Sequence, residues 1–422
     1  MVAKSLLTLL CLVACTSIPR SEPHAGDINY WEALARLESE RAIAVARTET
    51  ERAFAEALHS LMLGDVEKAE REFDSLRRSA TDSVLRSGSR VMHIATLQYQ
   101  EKWVELAEIA RDTTRANAAN PDKAGVELWA LAFSRIPRKT AEFRARSESV
   151  RMLISAVGTP LIPVHIGGKE YHFWLDTGSS MTMLASDVAR SLGIVPLVAD
   201  TLEIVTSTGR IVAQPALLPE LRLGQLVVRN VPTMIVDEAM MRMREPKQMG
   251  TDAPLKIDGI IGFDIIRLLD LEVDYDATTI RLRDPANSSP ALERNMYWVG
   301  LPVVELTSLG GIPLHFALDT GAQLTFVTET LLDKLQLKTA RVENRRVGGL
   351  GGEISMRTPV LSDLRVTLRG LPIVFRSAVV RAPVYQVLAA LDGVLGGDIW
   401  GTGVVRIDVT NGIFAVRRVA RD

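Results

Sequence analysis

The chain has 422 residues, 47% of them hydrophobic and 24% charged, with a formal net charge of −2. That composition excludes a disordered chain, and the interspersed, nearly balanced acids and bases exclude a dedicated nucleic-acid or polybasic membrane surface. Beyond the first residues there is no run of about 18 apolar residues, so no internal membrane span is expected; the length suits two or three domains.

Lys4 supplies a positive start, and residues 5–14 form an apolar run too short for a comfortable span, the layout of a secretory signal. The run ends Leu12-Val13-Ala14-Cys15, which resembles the lipobox of bacterial lipoproteins. The resemblance implies a lipoprotein signal peptide over residues 1–14, lipid on the sulfur of Cys15 and a tether over 15–26, with the membrane as a partner through that anchor. Cys11 and Cys15 are the only cysteines, so one is discarded, the other acylated, and no pair remains for a disulfide. Thr16 after the cysteine points, by analogy, to the outer membrane. The expected location is the bacterial cell envelope, lipid-anchored at the outer membrane or periplasmic face. An ordinary signal peptide with a chance cysteine is the alternative.

Residues 27–137 read as helix. Apolar residues recur at three- and four-residue spacing among many Glu and Arg, and prolines are nearly absent before Pro121. Two stretches inside it look alike, with Ala69 and Ala107 38 residues apart. This resembles tetratricopeptide-type helical hairpins, in which small residues let paired helices approach closely. An unspecialised bundle is the competing reading, and two repeats are too few to stand alone, so this layer is expected to lean on the rest of the protein and to offer a surface for a protein partner. Residues 138–157 read as a linker, and a linker helix is one reading of its charged stretch from Arg138 to Arg151. From Ile154 on, short Val-, Ile-, Leu- and Thr-rich runs alternate with Gly and Pro turns, the texture of an all-β domain. A turn-rich break at Asp284-Pro285-Ala286-Asn287 precedes a linker over 288–297, after which the texture restarts. The β part thus divides into residues 158–287 and 298–422.

These two segments are copies. Gly167-Gly168 leads to His172-Phe173-Trp174-Leu175-Asp176-Thr177-Gly178-Ser179, and Gly310-Gly311 leads to His315-Phe316-Ala317-Leu318-Asp319-Thr320-Gly321-Ala322. Asp176 and Asp319 are 143 residues apart, and the same offset places Gly209 on Gly352 and Leu221-Arg222 on Leu364-Arg365. After an insertion within residues 238–254 of the first copy, the offset falls to 134: Asp258-Gly259-Ile260-Ile261-Gly262-Phe263-Asp264 lies on Asp392-Gly393-Val394-Leu395-Gly396-Gly397-Asp398.

Each copy resembles a lobe of a retropepsin-like aspartic peptidase: a strand ending in Asp-Thr-Gly, a glycine-bearing hairpin, then a hydrophobic-hydrophobic-Gly segment before a short helix. The resemblance implies two tandem all-β acid-protease-like lobes forming a pseudo-two-fold unit behind the helical region, with catalytic residues Asp176 and Asp319 meeting at the axis. Two carboxylates at hydrogen-bond distance share one proton and titrate as a unit. The ionised member takes a proton from water while the protonated one donates to the scissile carbonyl. No cofactor and no metal are required. Gly178 and Gly321 are expected to allow tight turns that aim backbone N–H groups at the carboxylates, Thr177 and Thr320 to hydrogen-bond across the axis, and Ser179 to give Asp176 a further bond that Ala322 cannot give Asp319.

Asp264 and Asp398 read as helix N-caps or partners of arginine, and His172 and His315 as core or supporting residues. Flap tips are expected at Thr206-Ser207-Thr208-Gly209-Arg210 and at Val347-Gly348-Gly349-Leu350-Gly351-Gly352-Glu353, with Gly209, Gly349, Gly351 and Gly352 permitting the bends. The Met-rich stretch Ala239-Met240-Met241-Arg242-Met243 is either a cleft cover or a surface loop. The function expected is a monomeric aspartic endopeptidase acting on an extended polypeptide. The alternatives are a catalytically inactive binding or scaffolding lipoprotein, and a lobe that pairs with its counterpart in another chain.

Overall fold

In the computed structural model residues 6–7 are described and, between 29 and 417, all residues except 117–121, 156–158, 207–208, 244–254, 289–291, 340, 383, 387 and 400–402. Cys11 and Cys15, and with them the proposed lipidation site, lie outside the described residues.

The helical layer runs α1 (Tyr30–Ala35), α2 (Ser39–Val45), α3 (Glu49–Met62), α4 (Val66–Ser79), α5 (Ser83–Tyr99), α6 (Trp103–Ala116) and α7 (Asp122–Phe133). Local chemistry sets the starts. Thr48 and Glu51 close a capping box on α3, Asp65 accepts the Lys68 N–H at α4, and Asp82 accepts two N–H groups at α5. The 38-residue spacing seen in the sequence relates the α3–α4 pair to the α5–α6 pair, and Ala69 and Ala107 are both buried. Phe54 packs edge-on to Phe73 at 5.5 Å, with Gly88 of α5 fitted against the Phe54 ring.

This layer is not an outboard domain. Its core is continuous with side chains of both β-lobes: Phe54, Leu58 and Met92 share one cluster with Phe263 of the first lobe and with Trp298, Leu391 and Val394 of the second. Tyr99 lies 4.4 Å from the Trp298 ring and 6.4 Å from Phe263, under the Arg267 guanidinium. Next to it Glu101 pairs with buried Lys139 and with Arg267.

The two lobes repeat one strand order. In the first it is Leu202–Thr206, Gly209–Leu223, Leu226–Val236, Met183–Ala185, Gly259–Ile261, Lys169–Leu175, Pro160–Ile166. In the second it is Arg341–Gly349, Gly352–Leu368, Leu371–Arg381, Phe326–Thr328, Gly393–Leu395, Pro313–Leu318, Pro302–Ser308. In both, the strand ending before the Asp-Thr-Gly turn pairs in parallel with the later Gly-bearing strand (Leu175 opposite Ile261, Leu318 opposite Leu395). That crossing explains the repeated glycines. A Cβ on Gly259 would stand 2.4 Å from the Phe173 ring, and one on Gly393 2.5 Å from Phe316. Asp258 and Asp392 then lock the crossing by accepting the backbone N–H of His172 and His315 at 2.9 and 2.7 Å.

A further sheet ties the lobes together: Ile413–Arg417, Val404–Asp408, Asp270–Asp274, Thr279–Arg283 and Ser147–Arg151. Its middle pair is the duplicated strand against its own copy, antiparallel, with Asp270 opposite Asp408 and Asp274 opposite Val404. Asp270 is buried there, and Arg406 of the second copy (2.8 Å) and Arg283 of the first (2.8 Å) grip it from both sides. Burial alone would raise its carboxyl; the hydrogen bonds from Arg283, Arg406 and Ser288 outweigh that and hold it below the usual range.

Two linker expectations are corrected by these pairings. Among the described residues of 138–157 there is no helix: Thr140–Phe143 pairs with the first lobe at residues 226–229, and Ser147–Arg151 with Thr279–Arg283. Within 288–297, the strand Met296–Trp298 begins and pairs with residues 302–304. Alternating exposed charges suit an edge strand with one solvated face as well as a helix, so the charged run did not discriminate.

Candidate active site

Asp176 and Asp319 each follow the last residue of a buried strand, Leu175 and Leu318. The turn behind each is fixed by the other lobe. Thr177 donates its hydroxyl to the Leu318 carbonyl (2.8 Å) and accepts the Thr320 N–H (3.0 Å). Thr320 donates to the Leu175 carbonyl (2.9 Å) and accepts the Thr177 N–H (2.9 Å). All four groups are buried, so the cost of leaving any unpaired holds the two turns in register. Thr320→Val keeps the volume but strands the Leu175 carbonyl and the Thr177 N–H. It is expected to lower unfolding free energy by about 2–3 kcal/mol, with Thr320→Ser close to wild type; denaturant titration of the variants checks this.

With the turns locked, each carboxylate lies on the other lobe's glycine. A Cβ built on Gly178 would be 2.7 Å from the Asp319 Cγ, and one on Gly321 would be 2.7 Å from the Asp176 Cγ. Each Asp also accepts two N–H groups from its own turn: Asp176 Oδ1 from Gly178 (2.8 Å) and Ser179 (3.2 Å), Asp319 Oδ1 from Gly321 (2.9 Å) and Ala322 (3.0 Å). Burial first, then the charge of Asp319, push the Asp176 carboxyl well above the ordinary range, against the pull of the Gly178 and Ser179 N–H groups. Burial likewise raises Asp319, against the N–H groups of Ala322 and Gly321. The pair therefore holds a proton into a pH range where lone aspartates are ionised.

The expectation for Ser179 is corrected. Its hydroxyl turns away and donates to the Met181 carbonyl at 2.7 Å, so Asp176 receives only the backbone N–H, as Asp319 does from Ala322. Asp264 and Asp398 are also not N-caps; Gly262 occupies that place for the helix Phe263–Ile266. They brace threonines instead. Thr182 Oγ1 donates to Asp264 (2.9 Å) and accepts the Gly262 N–H, and Thr325 Oγ1 donates to Asp398 (2.6 Å) and accepts the Gly396 N–H. The cation nearest Asp264 is Lys139 at 3.6 Å, not an arginine. His172, 3.9 Å from Glu170, and His315, 3.7 Å from Glu305, do not line the cleft.

Above the dyad is a cleft of about 240 Å³. Its first-lobe side is largely apolar, with Trp174, Met183, Ile204 and Ile260 beside Ser179 and Thr206. Its second-lobe side carries Gln323, Phe326, Val379, Arg345 and Arg381. Of the flap candidates Gly349 reaches the cleft, as do its neighbour Leu350 and Thr206 on the opposite lobe; Gly209, Gly351 and Gly352 do not line it, and Ser207 and Thr208 lie outside the described residues. Gly351 (φ +99°) instead donates its N–H to the Met240 carbonyl at 3.2 Å, so the Met-rich stretch of the first lobe meets the hairpin tip of the second. Sequence reading missed both arginines. The repeat gave no signal for Arg381, because the strand position that pairs like it in the first lobe (Arg381 with Thr328, Val236 with Ala185) is a valine. Among the described residues no group of three or more His, Cys, Asp or Glu side chains is placed to hold a metal ion.

The family model described as Aspartyl protease matches residues 162–265 and 304–399, one segment in each lobe. Among solved structures, a retropepsin-like aspartic protease from Rickettsia conorii aligns at 18% identity over 35% of this chain and 97% of its own, with a TM-score of 0.22. The aspartic proteinase from Irpex lacteus aligns at 13% identity over 65% of this chain and 98% of its own, with a TM-score of 0.38. The curated proteins contain no match.

Proposed function

We propose that this chain is an aspartic endopeptidase whose dyad, Asp176 and Asp319, hydrolyses peptide bonds with one shared proton. The observation that carries the reading is the reciprocal threonine lattice, which sets each carboxylate against the other lobe's glycine at the floor of an open cleft. The match of both lobes to the aspartyl protease family supports a polypeptide substrate.

A water between the carboxylates loses a proton to the ionised member and attacks the scissile carbonyl carbon. The protonated member donates to the carbonyl oxygen, giving a neutral tetrahedral intermediate. Proton transfer to the amine nitrogen and breakage of the C–N bond then release a carboxyl and an amino terminus, with no covalent enzyme intermediate. Both lobes come from one chain, so a monomer suffices. The Cys15 anchor and envelope location belong to the same proposal and rest on the sequence around Cys15; a partner for the helical layer rests on its resemblance to tetratricopeptide hairpins.

Activity needs one proton on the pair, so it is lost as pH rises through the upper of the two dyad transitions and again below the lower one. Because both carboxyls are raised, kcat/KM against pH on a quenched fluorescent peptide is expected to peak on the acid side and fall toward alkaline pH. A substrate mimic with a tetrahedral hydroxyl should inhibit over the same range. A profile flat into the alkaline range counts against the shared proton.

A further inference from the structure

We propose that Arg381 is a specificity residue that receives an acidic side chain of the substrate in the second-lobe half of the cleft. The inference deepens the peptidase reading and rests on it. Arg381 closes the strand Leu371–Arg381, and its guanidinium lies 4.9 Å over the Phe326 ring, both side chains lining the cleft that holds the dyad. Its one hydrogen bond among the described residues is a weak one, Nη2 to the Met356 sulfur at 3.4 Å, and its Nε is shut from solvent with no partner. Burial lowers its basicity, and among the described residues no carboxylate offsets this.

The contrast with Arg345 makes the point. Arg345 lines the same cleft but is neutralised within the lobe by Glu343 at 2.6 Å. A cation left without its counter-ion beside a reaction cleft is costly to the empty protein, and a substrate carboxylate would remove that cost on binding. Guanidinium donors in a planar fork match a carboxylate better than any neutral group. The place is specific to one half of the cleft, since Val236 pairs in the first lobe as Arg381 does in the second, and among the described residues the largely apolar first-lobe wall carries no cation. The preferred peptide is therefore apolar on one side of the scissile bond and bears Asp or Glu on the other.

The test uses matched peptides that differ by Glu against Gln at single positions around an apolar anchor. Wild type is expected to favour Glu at one position by about tenfold to a hundredfold in kcat/KM, the range for a hydrogen bond between charged partners. Arg381→Met should erase that preference, so that the Glu and Gln peptides are cleaved with equal kcat/KM, and Arg381→Glu should favour Lys at the same position. A Glu preference that survives in Arg381→Met, or no preference in wild type, overturns the proposal. The same peptides are titrated by calorimetry onto Asp176→Asn protein with and without Arg381→Met. A Glu-over-Gln gain that requires Arg381 there sustains the subsite even if no variant cleaves, and its absence overturns the subsite while cleavage by wild type leaves the peptidase reading intact.

Discussion

Asp176→Asn and Asp319→Asn are each expected to lower kcat/KM by about 10²–10⁴-fold, the range for loss of a positioned proton-transfer group. An amide cannot take the water proton, and it cannot hold the mobile proton that the partner carboxylate donates. The two residues act as one unit, so the double variant should be no worse than the slower single one. A purely structural pair predicts the opposite ordering in stability. Here both carboxyls are raised in the fold, so the native state binds more protons than the unfolded chain. The stability tied to them is fully present below the ordinary carboxylate range and lost as pH rises through the raised values. At neutral pH the paired charges are therefore a burden, and either Asn variant should melt at or above the wild-type temperature, the gain vanishing in acid. Thermal unfolding at pH 7 and pH 4, beside peptide cleavage, checks both halves. Retained cleavage in either variant removes that residue from the mechanism.

How far the sequence could be read follows from what the duplication encodes. Asp176, Thr177 and Gly178 and their copies were legible because the same chemistry is written twice, and the crossing strands demand Gly259 and Gly393 against Phe173 and Phe316. A repeat preserves what both lobes need. It is silent on what only one lobe has, which is why Arg381 and the contact of Met240 with Gly351 did not show. It is silent also on hydroxyl rotors: Ser179 beside an aspartate looks like a donor to it, but the Met181 carbonyl lies closer to hand. The strand Ser147–Arg151 was hidden for another reason. Its partners, Thr279–Arg283, come more than a hundred residues later, and its half-buried face pairs Val150 with the charged Glu148, which blurs the alternation of apolar and polar residues that marks a strand. The docking of the helical layer rests on Tyr99, Trp298 and Phe263, single aromatic residues whose meeting no local pattern records.

Gly321→Ala and Gly178→Ala are expected to disable the cleft by steric means alone. Neither glycine has the positive φ that would make alanine strained, so backbone preference is not the issue. The new methyl on residue 321 would sit 2.7 Å from both Cγ and Oδ1 of Asp176, and the one on residue 178 at the same distance from those atoms of Asp319. Carbon and oxygen do not approach that closely without bonding, so the carboxylate must swing away or the two turns must separate. Separation breaks the buried Thr177–Thr320 lattice; the swing is cheaper, because the carboxylate faces an open cleft. The outcome is a protein that stays folded, losing about 1–3 kcal/mol to overpacking, with its catalytic group misplaced by about an ångström, worth roughly 10²-fold in rate. The effect should fall on kcat more than on KM, since the cleft walls that hold the substrate are untouched. Gly168→Ala and Gly311→Ala supply the control. These glycines have φ of +78° and +79° with nothing within 4 Å of a Cβ, so alanine there costs about 1 kcal/mol of backbone strain and should leave the rate unchanged. Normal turnover in Gly321→Ala would mean that Asp176 does not work from the position it holds above that glycine.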